Sequence, residues 1–459
     1  MKKALLLSLV LAGCAVGPDY KQPEVAAPPQ YKGATDWQVA QPSDTVPKGQ
    51  WWKAFRDPVL DGLVERVEVS NQNLRAAEAR YRQAQAGIAA ARSALFPSLG
   101  ASVGAQRTGG GARANGESGT RYTASLDARW EVDLWGRVRR TVEASSAGAE
   151  ASAADLDNAR LSLQADLATS YFLLRVTDTQ IDLLEDNVTA FRKSFEIAQN
   201  RYTAGVAAKV DVVQAEAQVR SVEAQAIDLR ATRAQLENAI AVLAGEPPPT
   251  FVLAKAPFKV HIPEIPAGVP SRLLERRPDI AAAERRVAQA NAQIGVAQAA
   301  YFPALNLTGG AGSASSSLGN LFSASNYAWS LGLGLAATLI DFGARGAQVD
   351  ASRARYDETV ATYRETVLEA LQEVENNLAT VRWLSEETKV QQEAARLARE
   401  SVVLTLNQYR AGTVSYLNVA LVQASQLSEE RSTVQLLGRR LAATVALIRA
   451  LGGDWEPPV

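Results

Sequence analysis

Two stretches of this chain are copies of one another, and that duplication limits the fold more than any other feature. Ala77 to Leu99 (AEARYRQAQAGIAAARSALFPSL) aligns with Ala283 to Leu305 (AERRVAQANAQIGVAQAAYFPAL) at an offset of 206, with twelve of the 23 positions identical. At an offset of 207, Trp135-Gly136 matches Phe342-Gly343, and Asn200-Arg-Tyr-Thr-Ala-Gly205 matches Asn407-Gln-Tyr-Arg-Ala-Gly412. A duplication of this length points to one supersecondary unit used twice around a shared core. The nineteen prolines respect it. None lies between Pro97 and Pro247 or between Pro303 and Pro457, so each copy holds a run of roughly 150 residues without a helix breaker.

Each copy reads helix, hairpin, very long helix, tight turn, returning helix. The expected organisation is a signal peptide at 1–13, an extended lead segment at 14–56, a first repeat at 57–246, a proline-rich linker at 247–277, a second repeat at 278–452 and a tail at 453–459. In the first repeat strands are expected near 98–107 and 121–134, the long helix at 136–203 and the returning helix at 209–244. The second repeat places them at 304–311, 326–340, 343–410 and 416–451.

The strands alternate with period two. Tyr122, Ala124, Leu126, Ala128, Trp130 and Val132 share one face, while Arg121, Thr123, Ser125, Asp127, Arg129, Glu131 and Asp133 share the other. Leu99, Ala101, Val103 and Ala105 continue the apolar set, as do Leu305, Leu307, Tyr327, Trp329, Leu331, Leu333, Leu335, Ala337 and Leu339. Their length suits a bilayer crossing of about 9–11 residues per strand. Opposite the second apolar set stand Ser330, Gly332, Gly334 and Ala336, which fit a crowded barrel interior better than a solvated sheet face. Four strands cannot close a membrane barrel, whose smallest common form has about eight. Unpaired strand edges are not tolerated in lipid, so the chain is expected to complete its barrel by oligomerising. The loops 108–120 and 312–325 are rich in Gly, Ser and Asn; Gly109-Gly110-Gly111 is followed by no Gly-Lys-Ser and reads as a hairpin loop, not a phosphate cradle.

The long helices reach roughly 100 Å at about 1.5 Å per residue. Leu167, Leu174, Ile181, Leu184, Val188, Phe191, Phe195, Ala198 and Tyr202 recur in steps of three and four, the coiled-coil spacing. Leu371, Val374, Leu378 and Val381 do the same in the second repeat. Both helices stop at Ala-Gly, where glycine suits a left-handed C′ position. The tips Ala204, Gly205, Val206 and Ala411, Gly412, Thr413 are therefore the far ends of two helical hairpins, suited to contact a partner. Tyr202, Tyr409, Arg410, Asp211 and Asn418 lie beside the turns and are the candidate gate.

At the amino terminus, Lys2 and Lys3 precede the apolar run Ala4 to Leu11, too short to span a membrane. Leu11-Ala12-Gly13-Cys14 has the form of a lipobox, which makes Cys14 the expected lipidation site, and Ala15 favours export to the outer membrane. Composition narrows the chemistry. One Cys and one His exclude a His/Cys metal site and leave a nucleophilic triad only if His261, within a proline-rich run, serves it; it reads as a linker residue. No catalytic residue, metal or cofactor is expected. Formal net charge is −1, which gives no electrostatic case for nucleic acid.

Several blocks resemble a known family. Cys14-Ala-Val-Gly-Pro-Asp-Tyr-Lys-Gln-Pro23, Trp51-Trp52 with Phe55-Arg-Asp-Pro-Val-Leu60, and Arg276-Arg-Pro-Asp-Ile280 are similar to the TolC-like outer membrane factors, in particular the NodT-type lipoproteins of resistance–nodulation–division efflux pumps. The resemblance runs from Cys14 to about Leu451. It implies a mainly α chain with a membrane β-barrel part: a homotrimer sharing a twelve-strand barrel, continued by a helical periplasmic barrel. It also implies docking to a periplasmic membrane-fusion adaptor and an inner-membrane resistance–nodulation–division pump. Relatives often carry an acid in the first turns after the second tip; here Leu421 stands there, with Asn418 and Gln423 as nearby polar residues. The expected function is a passive outer-membrane exit duct for drugs or other small molecules. A type I protein-secretion duct and a structural coiled-coil protein are the alternatives; the first usually lacks the lipid anchor, and the second needs no membrane strands. The cargo is not readable. Met1 is the sole methionine and leaves with the signal, so no thioether relay for soft metals exists.

Overall fold

The structure is a computed structural model that describes residues 15–25, 49–109, 119–256, 258–263 and 277–453. Cys14, the signal peptide, the loop glycines Gly110 and Gly111, and Arg276 lie outside the described residues. In chain order the elements are α1 (Pro58–Ser70), α2 (Gln72–Ser93), β1 (Ser98–Thr108), β2 (Gly119–Val132), α3 (Arg137–Thr203) and α4 (Lys209–Leu243), then α5 (Pro278–Ala299), β3 (Ala304–Ser315), β4 (Tyr327–Ala336), α6 (Ala344–Arg410) and α7 (Tyr416–Ala450). The duplication is exact in length where it matters: α3 and α6 each have 67 residues, and α4 and α7 each have 35. No helix among the described residues is long and apolar enough to cross a membrane.

The described residues fall into two compact units that cut across the sequence repeat. One is drawn from Met1–Val25, Ala79–Asp155 and Asp279–Thr366, the other from Ala26–Glu78, Leu156–Pro278 and Val367–Val459. Each takes material from both repeats, because neither hairpin nor long helix can bury its apolar side alone.

The first unit holds an antiparallel sheet in the order β1-β2-β3-β4. Its register carries the alternation across every strand: Leu99 pairs with Ala128, Ala128 with Gly309, and Gly309 with Leu331. All the apolar residues thus share one face, which this chain leaves bare; Val103 is 82% and Leu331 71% exposed. The opposite face is polar and crowded. The hydroxyl oxygens of Ser102 and Ser125 meet at 2.9 Å, Ser125 donates to Asp127 at 2.8 Å, and a β-carbon on Gly332 would stand 2.8 Å from the Thr308 hydroxyl. Two expectations need correction. β3 runs four residues past 311, to Ser315, and β4 stops at Ala336, four short of 340. β4's neighbour begins at Ala304, opposite Ala336, just after Pro303, so residues 337–340 have no strand of their own chain beside them.

The lead segment is strapped to this unit. The Val16 amide donates to the Trp135 carbonyl at 3.0 Å. Arg140, buried, donates to the carbonyls of Val16 and Gly17 and to the Asp19 carboxylate. Gly17 has a φ of 105°, and a β-carbon there would lie 2.4 Å from Gly295 Cα, so only glycine permits this approach.

The second unit holds the largest core. Trp51, Trp52 and Phe55 form a buried 3₁₀ turn, packed with Leu167, Tyr171, Phe172 and Leu174 of α3. Asp57 caps α1 by accepting from the Val59 and Leu60 amides, and also takes the Tyr171 hydroxyl at 2.6 Å. The spacing of Trp-Trp to Asp-Pro therefore makes a plug and a helix start at once. Arg277 bonds Glu373 and the Ala450 carbonyl, and Arg449 holds the other Glu373 oxygen. Burial opposes the Glu373 charge, but the two guanidiniums win and hold its carboxyl below the usual range.

Residues 251–256 are clamped by charges. Asp178 on α3 is buried and takes Arg233 Nε at 2.7 Å and Arg175 Nη1 at 3.5 Å. Those arginines donate onward to the carbonyls of Leu253 and Ala254, and Glu237 accepts the Leu253 amide at 2.7 Å. Removing the anion leaves buried Arg175 without its carboxylate, while Arg233 keeps only Glu237 at 3.2 Å. Asp178→Ala is expected to destabilise the unit by about 3–5 kcal/mol, and Asp178→Asn by less. Thermal or denaturant melting of the detergent-solubilised protein measures this, and an unchanged midpoint would show the clamp to be dispensable.

Candidate functional site

The two hairpin turns are built alike. Gly205 and Gly412 have φ of 72° and 79°, the left-handed conformation in which any other residue is strained. At the first tip the Gly205 amide donates to the Tyr202 carbonyl and the Val206 amide to the Arg201 carbonyl, both at 2.9 Å. At the second, Gly412 donates to Tyr409 and Thr413 to Gln408, both at 3.0 Å. These are the paired bonds of a Schellman stop. Ala204, Gly205, Val206, Ala411, Gly412 and Thr413 are all exposed, and Val206 is an apolar side chain 62% open to solvent.

Behind the turns the two repeats diverge, and the divergence makes the site. Where the first repeat has Arg201, Lys209 and Asp211, the second has Gln408, Tyr416 and Asn418. The first repeat supplies charge and the second supplies rings. Tyr409 and Tyr416 are buried, edge to face with centroids 5.5 Å apart, in a small core with Ala198, Ala215 and Val419. Arg201 reaches from the first hairpin to the second. Its guanidinium lies 4.9 Å from the Tyr409 ring centroid, and its Nη1 donates to the Arg410 carbonyl at 3.2 Å. Arg201 thus joins the two tips beside the apolar packing of Ala198 and Ala215 on the two tyrosines.

Among the expected gate residues, Tyr409 and Asp211 meet in this cluster, while Tyr202, Arg410 and Asn418 do not. Tyr202 is 42% exposed, because Lys209 stands where Tyr416 gives Tyr409 a ring to pack on. Arg410 contributes its carbonyl; its side chain is exposed, as is Asn418. Arg201 and Tyr416 are the residues that sequence reasoning missed. Their signal was the failure of the repeat to match at those two positions. Gln423, the other polar residue near Leu421, is buried, and its amide donates to Ser194 at 2.9 Å. Leu417 and Leu421, one helical turn apart on α7, are both more than half exposed.

Burial, with the Tyr409 ring and the Asp211 charge beside it, pushes the Tyr416 hydroxyl from 10 up to about 12. Tyr409 is raised as well, by burial and then Asp211, against Arg201. The Tyr416 hydroxyl makes no hydrogen bond among the described residues, so ionising it here places an uncompensated anion in a closed core. A raised acid of this kind contributes its stability below pH 10 and loses it as pH climbs toward about 12. Alkaline titration of tyrosinate absorbance should lose a late-rising step near pH 12 in Tyr416→Phe, while the still higher Tyr171 and Tyr20 are unaffected. A missing step near the ordinary value instead would mean the site is solvated.

A family model described as outer membrane efflux protein matches residues 63–246 and 269–453. The pyoverdine export outer membrane protein OpmQ of Pseudomonas aeruginosa is 33% identical over 99% of this chain and 98% of its own. Nodulation protein T of Rhizobium leguminosarum bv. trifolii is 29% identical over 98% of this chain and 96% of its own. Among solved structures, the outer-membrane channel OprN superposes with a TM-score of 0.87 at 32% identity, covering 96% of this chain and 100% of that one. The open state of the Neisseria gonorrhoeae MtrE channel gives 0.85 at 28%, covering 96% and 98%. Such likeness over both repeats, in a fold of paired hairpins and tandem 67-residue helices, is that of a TolC-like channel. The chain belongs to the outer membrane efflux protein family, whose members are the outer-membrane channels of efflux systems.

Proposed function

We propose that the chain acts as a lipid-anchored homotrimer, the passive exit duct that a periplasmic adaptor joins to an inner-membrane resistance–nodulation–division pump. The observation that carries the assembly is the four-stranded sheet with one bare apolar face and two unpaired edges, β1 and β4. In a bilayer each unpaired backbone group costs several kcal/mol, so the edges must be closed by further copies. The anchor is supported by the strap: residue 16 is bonded at the strand–helix junction, beside the stacked pair Trp135 and Phe302, aromatics of the kind found at membrane interfaces. Relatives are named for export of pyoverdine and of toluene, and we read the cargo as small organic molecules on that basis.

The exposed tips Ala204–Val206 and Ala411–Thr413 are the surface we assign to the adaptor, and the Arg201–Tyr409–Tyr416–Asp211 cluster is the latch behind them. Opening the duct would exchange the Arg201 bond to the Arg410 carbonyl for water or adaptor contacts. Arg201→Ala and Asp211→Ala are expected to raise single-channel basal conductance in planar bilayers, while native mass still gives three copies. Normal assembly with unchanged conductance would mean that other residues close the aperture. The same mass measurement tests the anchor, since an unmodified start at Ala15 would remove it.

The sheet offers a second check. Leu331→Arg, on the apolar face, is expected to cost about 2–4 kcal/mol near the bilayer midplane. Ser330→Arg, on the polar face, should cost less. Folding yield in outer-membrane fractions reads the difference, and equal losses would mean that the apolar face does not meet lipid.

A further inference from the structure

The polar face of the sheet confines its charge to one strand. Along β2 that face carries Arg121, Asp127, Arg129 and Glu131. Their partners on the neighbouring strands are neutral. Arg129 lies between Ser98 and Thr308, with Gly332 next in line on β4. Asp127 lies between Gly100 and Gly310, with Ser330 beyond. The repeat sharpens the contrast. β4 stands to β3 as β2 stands to β1, because offsets of 206 and 207 convert the pair Ser98↔Arg129 into the observed pair Ala304↔Ala336. By the same offset of 207, Arg121, Asp127 and Arg129 correspond to Ala328, Gly334 and Ala336. One copy of the unit carries charge where the other carries only glycine and alanine. A face that merely had to be wetted needs no such column, since serine and threonine already serve on the other strands.

The charges differ in what they can offer a passing molecule. Arg137 donates to both oxygens of Glu131, at 2.8 and 2.5 Å, and Arg139 pairs with Asp133, so these carboxylates are answered at the strand–helix junction. Asp127 accepts the Ser125 hydroxyl at 2.8 Å, and a β-carbon on Gly310 would stand 3.5 Å from one of its oxygens, so this carboxylate lies against the sheet. Arg129 is exposed, and its side chain makes no hydrogen bond or ion pair among the described residues. Nothing beside it in its layer is larger than threonine. Its guanidinium stands in solvent over a floor of small side chains, and it keeps its proton at any working pH. Arg121, nearer the loops, is a second exposed cation on the same face. Two cations, Arg121 and Arg129, against one unanswered anion, Asp127, leave the column with one positive charge in excess.

We infer that Arg129 sets the charge preference of the duct's interior, which favours organic anions over organic cations of similar size. The inference rests on the exit-duct reading above and adds the class of cargo. With the apolar face in lipid, the polar face lines the water-filled interior, and each copy contributes one Arg129 at the same height. Guanidiniums at one level form a ring, the arrangement by which pores favour anions. Low-dielectric walls focus the field of such a ring into the water it surrounds and raise the local concentration of counter-ions. The preference is electrostatic, so it fades with salt, as the Debye length falls from about 30 Å at 0.01 M to about 3 Å at 1 M.

Thiol reagents of fixed charge test this without opening the tips, since they enter from the loop side. Thr308→Cys places an exposed thiol beside Arg129, and the unsubstituted chain, whose one cysteine is Cys14, gives the background. Outer membranes containing the full-length variant are treated with an anionic sulfonate methanethiosulfonate or with a cationic trimethylammonium one. Each rate is divided by that reagent's rate with a small free thiol. The ratio of the two cancels any effect of Arg129 on the ionisation of the thiol itself, which speeds both reagents alike. The anionic reagent should react faster. Adding Arg129→Gln should lower the anion-to-cation ratio at least about threefold at about 0.01 M salt, Arg129→Lys should preserve it, and about 1 M salt should erase the difference. Arg129 and Thr308 are both exposed, so neither change disturbs the core. A ratio that Arg129→Gln leaves unchanged, or that salt does not alter, overturns the inference. If neither reagent modifies Thr308→Cys although native mass gives three copies, the polar face does not line water and the duct reading itself falls.

Discussion

Backbone hydrogen bonding in lipid is the constraint on which the rest of this protein depends. A sheet of four strands satisfies its inner ladders but leaves two edges open, and hydrocarbon offers them nothing. Everything else in the first unit follows from that unfinished state. Its apolar face is bare, its opposite face is glycine-rich and tightly packed, and β4 ends four residues before its alternation does. By itself the chain holds a sheet open at both edges, with an apolar face that nothing in the chain covers.

The helices meet a different demand. A 67-residue helix exposes far more side-chain surface than one partner can cover, and each of the two long helices is paired with a 35-residue return that packs along its far half. Stability there comes from a continuous apolar stripe, Leu167 through Phe191 and Ala198, joined to the tryptophan plug at 51–55. Charged clamps at Asp178 and Glu373 fix the irregular segments that helices cannot hold by periodicity. Such buried or half-buried pairs add little net stability, but each cation depends on its anion once both are out of water.

At the tips, the value of an imperfect duplication becomes visible. Two identical hairpins would place like residues against like. Here one hairpin brings Arg201 and Asp211 and the other brings Tyr409 and Tyr416, so that a cation can lie on a ring and a carboxylate can sit near two buried hydroxyls. The polar contacts are few and individually weak, one cation–ring contact and one carbonyl bond beside a small apolar core.

The sequence by itself determined the duplication, the helix lengths, the strand alternation, the two glycine stops and the family. Each of these is written in local spacing: proline placement, period two, steps of three and four, and Ala-Gly at the turns. The tertiary structure decided what spacing cannot express. It buried Tyr409 and left Tyr202 exposed, although both occupy the same place in the repeat, because their neighbours across the turn are Tyr416 and Lys209. It brought Arg201, and not the Arg410 side chain, against the Tyr409 ring, and it turned Gln423 into the core against Ser194. It also cut β4 short at Ala336, since strand length depends on a hydrogen-bonding partner as well as on the residues of the strand. Periodicity assigns a residue to a face; which neighbour that face meets is settled only when elements distant in sequence are brought together.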